Sequence, residues 1–71
     1  MAKVPRQPDL VWQTLRLPAP ARRALVKAGI TNFDELSLWS ESEVLDLHGV
    51  GPKAMTMLVQ AMADADYAFA A

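Results

Sequence analysis

The segment His48-Gly49-Val50-Gly51-Pro52-Lys53-Ala54 restricts the fold more than any other stretch of the chain. Two glycines bracket one hydrophobic residue, and a proline follows at once. Glycine takes backbone angles that a side chain forbids, and it lets another backbone come close. Proline suits the first turn of a helix, where its missing N–H costs nothing. The pattern predicts a tight turn opening directly into a helix, with Val50 as a core plug. Amides at such a helix start can receive an anion such as a phosphate. Lys53 adds a positive charge beside them.

The rest of the chain reads as short helices punctuated by caps. Pro18-Ala19-Pro20 stops what precedes it and starts a helix at about Pro20. Ala21, Ala24, Leu25 and Ala28 recur at helical spacing and give that helix its buried face. Gly29 is placed to end it, with Ile30 as the hydrophobic contact that accompanies such a cap. Thr31 is the expected N-cap of the next helix, whose first turn carries Asp34 and Glu35. Ser40-Glu41-Ser42-Glu43 has the serine-to-glutamate spacing of a capping box. Val44, Leu45 and Leu47 are then expected to face inward. The last helix should run from about Pro52 to Ala65, with Met55, Leu58, Val59 and Met62 as its apolar stripe. His48 is expected to cap the helix before the turn. Tyr67 or Phe69 can fold back over the core.

Residues 1–9 read as a flexible tail, and 10–71 as a single domain. Leu10–Leu17 fits either a short helix or an extended strap, anchored by Trp12. No strand pattern survives. The expectation is an all-α, compact bundle of four to five short helices. Its predicted core is Leu25, Ile30, Phe33, Leu36, Leu45, Leu47, Val50, Met55, Leu58 and Met62.

Size and composition narrow the function classes. A 71-residue chain without cysteine has no disulfide and no thiolate metal site to staple it. Domains this small bury only about 60% of their unfolded surface, so helix packing has to carry the stability. With 52% apolar residues the chain has enough for a small core. No apolar run approaches the roughly 18 residues of a membrane helix, and residues near the start form no apolar signal core. A cytoplasmic protein without a membrane partner is expected. One histidine and no cysteine make a metal site unexpected. The carboxylates sit where helix starts want them, so neither an enzyme, a cofactor nor a small-molecule substrate is expected.

The net charge of −1 argues against strong general affinity for nucleic acid. The charges are nevertheless sorted along the chain. Arg22, Arg23 and Lys27 cluster on one helix, whereas residues 31–48 hold five acids and no lysine or arginine. The basic cluster reads either as a solvated helix face or as a phosphate grip. The Gly-Val-Gly turn reads either as helix packing alone or as a phosphate contact. The methionines of the last helix read as core filler or as an adaptable surface. An exposed Trp39 beside the acidic segment would suggest a protein interface.

Three stretches together resemble a known family. They are Ala-Gly-Ile-Thr-Asn-Phe-Asp-Glu-Leu (28–36), Ser-Glu-Ser-Glu-Val-Leu (40–45) and His-Gly-Val-Gly-Pro-Lys-Ala (48–54). Their order and spacing resemble the C-terminal domain of the bacterial RNA polymerase alpha subunit, from about Leu17 to Phe69. The chain is more similar still to small stand-alone bacterial proteins built from that domain. The resemblance implies a helix-hairpin-helix motif in a SAM-like bundle. It also implies a DNA surface made by the start of the first core helix, the hairpin and the start of the last helix. Gly51 and Lys53 match the family's hairpin positions, and Arg23 falls on a polar DNA-contacting position. Pro20 stands where the family has its principal arginine, and Ala54 where it often has a hydroxyl donor. The resemblance therefore implies phosphate contact rather than base reading.

The leading expectation is a small helix-hairpin-helix protein that binds DNA weakly and non-specifically through the phosphate backbone, in a transcription-related role. Arg22, Arg23 and Lys27 would supply charge, and Gly49, Gly51 and Lys53 would present amides and an ammonium. The alternative is a protein–protein interaction module of the same fold without nucleic-acid binding, its partner belonging to transcription or DNA processing.

Overall fold

The computed structural model describes residues 8–71. Five helices follow one another: α1 (Leu10–Thr14), α2 (Ala19–Lys27), α3 (Phe33–Leu36), α4 (Glu41–Leu45) and α5 (Pro52–Asp64). No strand occurs among the described residues, which contain only one isolated bridge, between Ser40 and Ala70. The ambiguous segment 10–17 is a helix followed by a turn, not an extended strap. Most of the expected tail, residues 1–7, lies outside the described residues. Asp9 precedes α1 and accepts hydrogen bonds from Gln13 at 2.7 Å and Arg22 at 3.3 Å.

Helix ends follow local chemistry closely. Ala28 closes α2, and Gly29 continues at φ 83. Gly29 N–H donates to Val26 O and Ile30 N–H to Leu25 O, which makes a Schellman cap with Ile30 buried behind it. The same pair of bonds closes α1 at Arg16 and α5 at Asp66, where non-glycine residues take φ 61 and 65. Serine 40 and Glu43 form the reciprocal capping box of α4. The cap of α3 lies one residue later than expected. Asn32 is the N-cap, its side chain accepting from Glu35 N–H at 2.8 Å. Thr31 instead donates both its N–H and its hydroxyl to the Glu35 carboxylate, each at 2.7 Å.

The core draws on every helix. Trp12 is fully buried and donates its indole N–H to Ile30 O at 2.9 Å, locking α1 onto the turn after α2. Leu17, Ala21, Leu25 and Ile30 continue the core from one side, and Leu36 and Val44 add to it. Ala54, Met55, Leu58 and Met62 close it from α5, with Val50 in the turn beneath. Burying a leucine such as Leu58 contributes roughly 1.5–3 kcal/mol. Phe33 is half-buried and meets Trp12 edge-on, with ring centroids 5.8 Å apart. Leu47 is also half-buried. One expected core residue, Leu45, faces solvent at 46% exposure, and Val59, expected on the apolar stripe of the last helix, is 39% exposed. Helix α4 has only five residues, and Val44 already fills its inward position. On α5 the stripe narrows to Met55, Leu58 and Met62, which leaves Val59 at its edge.

The C-terminal segment straps the bundle. Tyr67 packs its ring on Phe33 and donates its hydroxyl to Asp34 at 2.8 Å. Ala70 N–H donates to Trp39 O, and Phe69 packs against the core.

Candidate nucleic-acid interface

The turn between α4 and α5 presses directly on the first turn of α2. Gly49 adopts φ 108, and a Cβ built there would stand 2.6 Å from Pro20 O and 3.3 Å from the Ala24 side chain. Only glycine fits both that angle and that approach. The glycine thus joins the turn to the start of α2, two segments that the sequence marks separately as candidates. Along their junction runs an open groove of about 550 Å³, lined by Pro20, Arg23, Ala24, Lys27, Leu47, His48 and Gly49 together with Ala28. Its lining holds two side-chain cations, an imidazole and no carboxylate.

The basic cluster of α2 divides. Arg23 and Lys27 are exposed and line the groove. Arg22 is half-buried and turned to structural work: its guanidinium donates to Leu17 O at 2.8 Å and pairs with Asp9 at 3.3 Å. That pair ties the start of α1 to α2. His48 does not cap α4, whose C-cap is Asp46. It is exposed at the rim of the groove, a position that sequence reading missed although its neighbour Gly49 pointed there.

At the far side of the turn α5 begins. Gly51 is its N-cap in extended conformation (φ −98), with nothing within 4 Å of an added Cβ. No side chain caps this helix, and its first hydrogen bond is Met55 N–H to Gly51 O at 2.9 Å. The Lys53 and Ala54 amides, ahead of that bond, have no intrahelical acceptor. Lys53 is exposed in this first turn, outside the groove lining. Gly51, Pro52 and Lys53 together present an open helix start.

The acidic segment is engaged elsewhere. Its hydrogen bonds from the Thr31 N–H, and then from the Thr31 hydroxyl, hold the Glu35 carboxyl below its ordinary pKa of 4.5. Asp34 accepts the Tyr67 hydroxyl and raises that phenol's pKa. Among the described residues no three His, Asp or Glu side chains cluster to hold a metal ion, and no helix is long and apolar enough to cross a membrane.

No family profile matches the chain, and neither a curated protein nor a solved structure matches it significantly.

Proposed function

We propose that α4, the turn at 46–51 and α5 act as a helix-hairpin-helix unit that binds duplex DNA through its phosphates, as the likeness to the polymerase alpha C-terminal domain implies. The observation that carries this reading is the seating of Gly49 on Pro20 and Ala24. It brings the Arg23 guanidinium and the Lys27 ammonium to the same groove as the turn. Arg23, Lys27 and Lys53 supply charge, the uncapped start of α5 supplies amides, and Arg22 braces α2. Contacts of this kind position a protein on DNA without reading bases. The domain is then a binding module rather than an enzyme, weak by virtue of its net charge of −1, and acts on DNA in the cytoplasm in a transcription-related role.

Fluorescence anisotropy of a short labelled duplex, titrated at two salt concentrations, tests it. Three neutralised phosphates give a slope of log affinity against log salt of roughly −2 to −3. Two unrelated duplex sequences should bind alike. A slope near zero, or no binding at low salt, would defeat the reading.

One observation favours the interaction-module alternative. Leu38, Leu45 and Val59 are large apolar residues left exposed, at 78%, 46% and 39%.

A further inference from the structure

Leu45 and Val59 do not stand apart from each other. Both line a second open groove, of about 390 Å³, between α4 and α5, with buried Met55 at its base and exposed Pro52 also in its lining. Its polar lining is Glu41, Thr56 and Gln60. The Thr56 hydroxyl is spent on Pro52 O at 3.0 Å. Gln60 donates to Asp64 at 2.9 Å, one turn further along the same face of α5 and just outside the groove lining. Glu41 makes no hydrogen bond or ion pair among the described residues. No cation lines this groove, and it shares no lining residue with the basic one.

We propose that this groove docks a short basic amphipathic helix of a partner protein. Three features select that occupant. An apolar trough with the Glu41 carboxylate in its lining and Asp64 one turn beyond it complements aliphatic anchors flanked by lysine or arginine. Those carboxylates repel nucleic acid, and in a two-fold pairing of copies each acidic rim would meet its like. No strand edge exists among the described residues to accept an extended peptide, so recognition follows the helix-in-groove mode, read as anchors at i and i+4. The occupant covers Leu45 and Val59 and places its charges against Glu41 and Asp64. The inference rests on the interaction reading and can fail or hold apart from DNA binding, since residues 41–46 and 55–60 belong to this groove alone and only Pro52 adjoins the α5 start.

The test uses the full chain and a fluorescein-labelled peptide of roughly 14 residues, long enough to form helix on docking. The peptide is built from leucine and lysine with leucines at helical spacing. Controls replace every lysine by glutamate, or every leucine by glutamine. NMR of the nitrogen-labelled chain should show shifts confined to residues 41–46 and 52–60 with the leucine–lysine peptide, and none with either control. Leu45→Gln and Val59→Gln should each weaken anisotropy-detected binding by about tenfold, the order expected for losing a buried aliphatic contact. Both sites are already exposed, so unchanged melting curves should accompany the loss. Glu41→Gln should weaken binding about threefold, and less so in high salt. Four outcomes would overturn the proposal. Shifts spread over Asp34, Glu35 and the other acids, with Leu45→Gln binding as the parent does, would mean charge adhesion only. Shifts centred on Leu38 and Trp39 would move the interface elsewhere and spare the interaction reading. Concentration-dependent shifts at 41–46 and 52–60 without peptide would make a second copy the occupant. No shift at all with the leucine–lysine peptide would remove both the groove and its stated partner.

Discussion

Gly49 and Gly51 are separated by a single residue and look interchangeable in the sequence, yet the fold treats them differently. Gly49 sits at φ 108 with Pro20 O only 2.6 Å from where a Cβ would be. Gly51 sits at φ −98 with open space around it. Gly29 falls between them, at φ 83 but with nothing near. The entrance of the turn is thus held by packing on α2. Its exit, at the start of α5, is under no such demand. A glycine that the fold does not require is free to serve close approach from outside, which is what a phosphate at a helix start needs.

Substitution by alanine at the three glycines should sort them. Gly49→Ala combines a left-handed angle with a clash against backbone, and should cost about 3 kcal/mol or more. For a domain of this size that approaches total stability, so the circular dichroism melt should be lost or fall by tens of degrees. Gly29→Ala meets only the angle and should cost about 1–2 kcal/mol, or roughly 4–8 °C in Tm per kcal/mol. Gly51→Ala should stay within about 0.5 kcal/mol of the parent while weakening duplex binding. Equal melting of all three variants would erase the distinction.

The arginines of α2 extend the same contrast, between the bracing residue Arg22 and the exposed Arg23 of the proposed phosphate contact. Arg22→Ala removes a guanidinium that donates to Leu17 O and pairs with Asp9. It should cost about 1 kcal/mol of stability, the usual size for one such bond, with a smaller effect on DNA. Arg23→Ala and Lys53→Ala should melt like the parent. Each should weaken binding to unrelated duplexes alike and flatten the salt slope by about one. If Arg22→Ala flattens the slope as much as Arg23→Ala does, the assignment of bracing to one and gripping to the other fails.

The smallest expected effect lies far from the turn, in the Thr31–Glu35 pair. Hydrogen bonds from Thr31 lower the Glu35 pKa in the folded state. Stability from this source is fully present above the unfolded carboxyl's pKa. It fades as pH falls from the ordinary 4.5 through the lower folded value. Glu35→Gln should therefore flatten the acid limb of the stability–pH curve, with a small loss of stability at neutral pH and little change at acid pH, where the parent's carboxyl is itself protonated. An unaltered acid limb would show that another carboxylate governs it.

Signals confined to a few neighbouring residues were legible in the sequence. Gly29 with Ile30, Ser40 with Glu43, and Pro52 at the α5 start all act through bonds within one turn, and the structure has each in place. Thr31 and Asn32 are both competent caps, and only the Glu35 geometry decides between them. Leu45 was misread because five residues are too few to fix a helical period. Val59 was misread because stripe width depends on what packs opposite. The fate of Arg22 depends on Asp9, thirteen residues away and assigned by the sequence to a tail. Of the candidate site, the turn and the basic helix were each visible. Their junction through Gly49 and Pro20, and the entry of His48 into it, are tertiary facts that no local pattern encodes.

The measurement that tests the central claim most directly is an NMR titration of the nitrogen-labelled chain with an unlabelled duplex at low salt. Amide shifts should concentrate at residues 20–27 and 48–54 and shrink together as salt rises. The strongest should fall at Gly51, Lys53 and Ala54, ahead of the first α5 hydrogen bond. Residues 41–45, on the apolar groove, should stay still. An unchanged spectrum at millimolar duplex, or shifts that leave the turn and the α5 start untouched, would contradict the assignment of this face to DNA phosphates.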